Sequence, residues 1–235
     1  MSYVIDIEAF DDSDLLDPRL KRRKVHDSRS RFFATPASKT RQPTQNIRHE
    51  RKAPIWDQGM LGSCTANAFL GMLMTEPFHT WGGGKWRFAE PDCVSFYSLE
   101  TRLDPFTGSY PPEDTGSAFL YAAKAGKQMK YIRKYEHAFN TTSALNWLVA
   151  QPINIGVTWY ESMMETDKQG FVVPRGRIAG GHEICVDEIN SSKRYVEFSQ
   201  SWGDSWGPLK GRGRMTWETL DTLLRQDGDV GSVVT

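Results

Sequence analysis

Gln58-Gly59-Met60-Leu61-Gly62-Ser63-Cys64-Thr65-Ala66-Asn67-Ala68-Phe69 is the stretch on which the reading of this chain turns. A bend carrying two glycines runs into a cysteine, and the cysteine opens an apolar run from Ala66 to Met74. Ser63 suits the N-cap of a helix there, where its hydroxyl can accept from a free backbone N–H. Cys64 then falls in the first helical turn, where unpaired N–H groups and the macrodipole favour negative charge. Thiolate is the nucleophilic form, and a free thiol ionises only near pH 8.5, so lowering it by about two units makes thiolate dominant at neutral pH. Gln58, across the bend, can turn its amide N–H groups toward the cysteine, as stabilisation of an oxyanion requires. The plainer alternative is a small buried thiol that only packs.

The string from Trp56 to Ala68, with its core Gln58-Gly59-x-x-Gly62-Ser63-Cys64-x-Ala66, resembles the active-site motif of the papain-like (C1) cysteine peptidases, and its bacterial, archaeal and viral branch most of all. The resemblance implies Cys64 as nucleophile and Gln58 as oxyanion donor. Two positions depart from the family: Thr65 stands where a large residue often follows the cysteine, and Leu61 where the eukaryotic branch has a disulfide cysteine.

A cysteine nucleophile needs a base that takes its proton and returns it to the leaving amine. Of five histidines, His26 and His49 lie in a basic N-terminal arm, and His79 and His137 read as loop residues. His182, in Gly180-Gly181-His182-Glu183-Ile184, precedes a strand after two glycines that permit close approach of another backbone. This is where the family places its base.

Ser199-Gln200-Ser201-Trp202-Gly203-Asp204-Ser205-Trp206-Gly207 is the third block. It resembles the family's Asn-Ser-Trp-Gly-x-x-Trp-Gly, whose asparagine orients the imidazole and whose first tryptophan shields that contact. Gln200 replaces the asparagine and offers the same amide on one more methylene, at a higher cost in side-chain entropy. The phrase Asp114-Thr115-Gly116-Ser117 also resembles the family near its cleft. Gly116, Gly181 and Trp202 are therefore expected to border bound peptide.

The resemblance covers residues 54–217 and implies an α+β fold: a helical first lobe over about 53–150, a β-rich second lobe over about 151–235, and a cleft between them. It implies endopeptidase chemistry on peptide or protein substrates through a Cys64 acyl-enzyme, with no metal and no cofactor. Two other readings stay open. One is an amidase or ligase on the same constellation. The other is a silent fold that binds peptide or serves a structural role.

Composition bounds these readings. The chain has 235 residues, 39% hydrophobic and 12% aromatic, enough for a large core. Its formal net charge is zero, so nothing global favours nucleic acid. Three cysteines without a CxxC pair argue against a disulfide framework or a zinc site. The acidic opening does not read as a signal peptide, and no apolar run approaches a membrane span. An intracellular, reducing compartment is the expectation.

Residues 1–52 read as an extended arm, possible as a short inhibitory pro-segment, with Arg19-Leu20-Lys21-Arg22-Arg23-Lys24 as its basic cluster. Downstream, the periodicity predicts helices over 64–76 and 91–102. A further helix is capped by Asp114 or Thr115 and stopped by Gly126, and another is capped by Thr141 or Thr142. Alternation predicts strands at 153–159, 171–173, 184–189, 194–199 and 212–217, followed by a closing helix over 218–225. Cys93 and Cys185 are assigned to packing.

Overall fold

The computed structural model describes residues 5–7, 15–27 and 42–235. The helix that opens at Cys64, α1 (Cys64–Leu73), is buried along its whole length. A helix that is apolar on every side must be enclosed by other elements. One side of α1 meets α3 (Glu90–Leu103) and α4 (Phe119–Gln128), and the short α2 (Phe78–Trp81) follows it. Phe69 stacks on Phe96 at 5.3 Å between ring centroids. Gly126 lies inside α4 rather than ending it, because a side chain there would strike the Phe69 ring. The cap of α4 is Ala118, further along than the Asp114 or Thr115 expected.

The other side of α1 faces an antiparallel sheet. In spatial order its strands are β4 (Lys134–Ala138), β9 (Asp229–Val234), β5 (Ile153–Tyr160), β6 (Ile178–Asn190), β7 (Tyr195–Ser199) and β8 (Arg212–Thr216). β3 (Asn46–Arg48) joins β6 separately, so the end of the predicted arm is a sheet strand. The far face of the sheet is covered by α5 (Thr141–Ala150) and α6 (Trp217–Arg225). Ile153, Ile155, Val157 and Trp159 on β5 enter that second core. The result is the mixed helical and sheet architecture expected, a helical cluster and a β-rich cluster on either side of a seam.

Several local expectations are corrected. Phe171-Val172-Val173 makes a single bridge, Phe171 to Arg214, and not a strand. Asn140 caps α5 by accepting from the Ser143 N–H at 2.8 Å, so the cap lies one residue before Thr141. His137 is in β4, not a loop, and the His49 ring is held against the Leu148 carbonyl at 2.8 Å. Cys93 and Cys185 are both buried and free, in the core shared by α1, α3 and α4.

Between the two clusters runs the arm. Residues 25–27 form β2 (Val25–Asp27), which pairs with β1 (Ile5–Ile7). Before it, Leu16 N–H donates to the Ala179 carbonyl at 3.2 Å, Gly181 N–H to Leu20 at 3.1 Å, and Arg22 N–H to Gly181 at 3.1 Å. On the opposite side Arg23 N–H donates to Ser117 at 2.7 Å. The arm thus makes one parallel bridge to β6, Lys21 to Gly181, and one to the segment on its other side, Arg22 to Ser117. Leu20 is 0% exposed and joins the β-rich core.

Candidate active site

Ser63 precedes α1 as expected but does not cap it with its side chain. Its hydroxyl accepts instead from the Asn67 side-chain amide at 3.1 Å. Cys64 follows at the first turn of α1 and is 0% exposed. Its sulfur lies against the backbone N–H of Glu183, the residue after His182, so α1 and β6 bring the first two sequence blocks together. Thr65, the departure beside the cysteine, donates its hydroxyl to the buried carboxyl of Glu100 at 2.5 Å. A small polar residue is needed there to reach that acid.

The third block is bound to the first. Gln58 N–H donates to the Ser201 carbonyl at 2.9 Å, and Ser201 Oγ donates to Gln58 Oε1 at 2.5 Å. Those bonds fix the orientation of the amide, so that Nε2 donates to the carbonyls of Leu61 at 2.6 Å and Arg19 at 3.2 Å. His182 is paired with Gln200: the imidazole Nε2–H donates to Gln200 Oε1. The longer amide therefore reaches the imidazole. This pairing leaves Nδ1 as the free imidazole lone pair, buried and without a hydrogen-bond partner.

Trp202 lies against the imidazole with centroids 5.0 Å apart, and Trp159 meets the ring edge-on at 4.9 Å, the two indoles being 5.9 Å from one another. Trp159 was not anticipated; its strand alternation gave a core position, and only the sheet register sets it beside His182. The Arg19 guanidinium lies 4.3 Å over the Trp202 ring, and Asp17 holds that guanidinium at 2.6 Å.

Burial reverses the expected ionisation. The Cys64 thiol is pushed up to about 12 by burial, with the Glu183 N–H acting in the opposite direction. His182 is pushed down to about 4 by burial, opposed by the Gln200 hydrogen bond and assisted by the positive charge of Arg19. A helix terminus contributes at most about 2 kcal/mol to a nearby charge, less than complete desolvation of a thiolate costs. With the arm in place the two groups are therefore a neutral thiol and a neutral imidazole, not the thiolate that a helix terminus alone favours.

Gly116 and Gly181 both touch the arm. A side chain on Gly116, which has φ +71°, would strike the Lys21 carbonyl, and one on Gly181 would strike that of Arg22. Lys21 also donates to the Asp114 carbonyl at 2.9 Å. Three acids or bases escaped the sequence reading: Arg22, Glu183 and Asp229. Their charge gave no signal in isolation, because their proximity depends on strand register. Among the described residues no group of three or more His, Cys, Asp or Glu is arranged to hold a metal ion.

No protein-family model matches the sequence, and no curated protein matches it in sequence. Solved structures do match the fold. Xylellain, a cysteine protease from Xylella fastidiosa, aligns at 17% identity with a TM-score of 0.68, covering 89% of this chain and 93% of its own. The procathepsin B of Trypanosoma congolense aligns at 11% identity and TM-score 0.61, covering 92% and 87%. A Carica candamarcensis cysteine protease, solved in complex with E-64, aligns at 16% identity and TM-score 0.55, covering 78% and 93%. The structural neighbours are papain-like cysteine proteases, and the fold is theirs.

Proposed function

We propose that this chain is a thiol endopeptidase held closed by its own arm. The observation that carries the reading is the convergence of Gln58, Cys64, His182 and Gln200 on one seam, with the arm's Arg19 carbonyl already hydrogen-bonded to Gln58 Nε2. A peptide carbonyl in the same place would have its oxygen on the Gln58 amide.

In the open form, water returns to the seam, and the desolvation that keeps both groups neutral is relieved. His182 Nδ1 takes the thiol proton, giving thiolate and imidazolium. The thiolate adds to the peptide carbonyl, and Gln58 Nε2 and the Cys64 backbone N–H stabilise the oxyanion. The imidazolium gives its proton to the leaving amine. Water, deprotonated by the same nitrogen, then releases the acid and restores the thiol. Gln200 holds the tautomer that leaves Nδ1 free, and Trp202 and Trp159 keep water from the Nε2 contact. Cleavage of peptide or protein substrates, within a reducing compartment, is the corresponding biological setting.

The test is intact-protein mass after brief exposure to a cysteine-peptidase epoxide inhibitor at neutral pH. It is applied to the chain with Leu20→Asp, which places a charge where the arm is apolar and so opens it. One adduct, lost with Cys64→Ala and with His182→Ala, supports the reading, as does peptide hydrolysis with the same dependence. Labelling independent of His182 would overturn it.

A further inference from the structure

Strand register sets two acids side by side next to the candidate nucleophile. On β5, Gly156 is the cross-strand neighbour of Glu183 on β6 and also of Asp229 on β9. Cross-strand neighbours point to the same face of a sheet. The two carboxyl groups therefore flank a residue that has no side chain, and a slot opens over Gly156. A Cβ on Gly156 would strike Glu183, Asp229 and the occupant of the slot, Arg22.

Arg22 is 3% exposed. Its Nη2 donates to Asp229 Oδ1, and its Nε stands 3.7 Å from Glu183 Oε2. The fit is incomplete. Arg22 Nε and Nη1 and both Glu183 carboxylate oxygens have no hydrogen-bond partner, although Glu183 is 1% exposed. A buried ion pair repays its desolvation only when its remaining donors and acceptors are satisfied. This arrangement is therefore a poor permanent fixture. It is better suited to a site whose occupant is exchanged.

We propose that the slot between Glu183 and Asp229 is a recognition site for a guanidinium side chain of a bound peptide, and that Arg22 is its resident while the arm is in place. The inference rests on the reading of the seam as a peptide-binding cleft. Two acids on either side of a glycine match the planar fork of arginine better than the point charge of lysine. The backbone of Arg22 bonds Gly181, two residues before Glu183, whose own N–H touches the Cys64 sulfur. A peptide that inserts arginine here thus lies directly beside the reacting thiol, and the slot selects substrates as well as anchoring the arm.

Binding tests this without turnover. The 235-residue chain carries Cys64→Ala, with Leu20→Asp and Arg22→Ala to free the groove, and circular dichroism checks its fold; Arg22→Ala with Cys64→Ala alone is the second background. Two fluorescent peptides spanning residues 15–27 are titrated, one native and one with norleucine in place of Arg22. The native peptide is expected to bind at least about tenfold more tightly. Adding Glu183→Gln or Asp229→Asn should bring that ratio close to one while leaving norleucine-peptide binding unchanged. Equal binding of the two peptides, binding of neither, or a ratio indifferent to both acids overturns the proposal. Restoring Cys64 separates the two readings. Absent hydrolysis with the ratio intact removes the peptidase and keeps the slot, whereas hydrolysis without arginine preference removes the slot alone.

Discussion

The carbonyl oxygen of Arg19 accepts a hydrogen bond from Gln58 Nε2 at 3.2 Å. The amide donor is thus occupied by the chain's own backbone. If the proposed reading holds, opening the arm precedes each reaction at Cys64.

Leu20→Asp should therefore expose the site. The side chain is 0% exposed in an apolar cluster, and an unpaired carboxylate there costs several kcal/mol. Alkylation of Cys64 by iodoacetamide, mapped by peptide mass, should accelerate at least about tenfold over the unsubstituted chain. Cys93 and Cys185, in the core of the helical cluster, should label no faster.

Gln58→Ala, placed in the arm-opened chain, removes the proposed oxyanion donor. Peptide kcat/KM should fall by about 10²–10³. The rate of Cys64 alkylation, which forms no oxyanion, should change by less than about threefold. A parallel loss in both would make Gln58 a structural residue only, through its two bonds to Ser201.

Gln200 reaches the imidazole with its full length. Gln200→Asn withdraws the amide by one methylene on a backbone fixed by bonds from Gln200 N–H to Gly211 and from Gln58 N–H to Ser201. Both Gln200→Asn and Gln200→Ala should lower kcat, the alanine variant by tenfold or more, with KM little altered. Recovery of full activity by Asn would show that the backbone shifts to accommodate it.

The pH dependence of the closed form has a definite sign for His182. Its folded value is about 4, below the ordinary 6.5, so the opened or unfolded chain binds more protons between those limits. Its contribution to closed-state stability is full above pH 6.5 and is lost as pH falls toward 4. Glu183, whose carboxyl is raised by burial and by Asp229, contributes the opposite slope. The comparison to make is between the unsubstituted chain and His182→Asn. From pH 7 to pH 4.5 the unsubstituted chain should lose more melting temperature than the variant does.

Thr65→Val keeps the volume and removes the donor to Glu100, whose buried carboxyl is already held well above the usual range by desolvation. Leaving that acid without a partner should cost about 1–3 kcal/mol. Thermal unfolding should show a melting temperature lower by several degrees, and Thr65→Ser should recover most of it.

Much of this site is legible in the sequence. The glycine-flanked cysteine, the Gly-Gly-His step and the Ser-Trp-Gly-x-x-Trp-Gly block each name residues that the fold brings to one seam. The apolar run after Cys64 gives the buried helix, and the alternation of 153–159 and 184–199 gives the central strands. What was missed has physical causes. β4 and β9 are short and carry polar residues such as Glu136, His137 and Ser232, which weaken the period-two signal. The end of α4 was misplaced because Gly126 is used for packing under Phe69 rather than for a left-handed turn.

The sequence by itself determined which side chains meet at the candidate site and which elements present them, because motif and periodicity are local properties of the chain. Tertiary structure alone decided their state. Burial makes Cys64 a thiol and His182 a neutral base, against the expectation from the helix terminus. Strand register alone sets Glu183 and Asp229 on either side of Gly156, and a register is fixed by pairing between segments distant in sequence. Desolvation and register both depend on what lies across the seam, and no local stretch of sequence contains that.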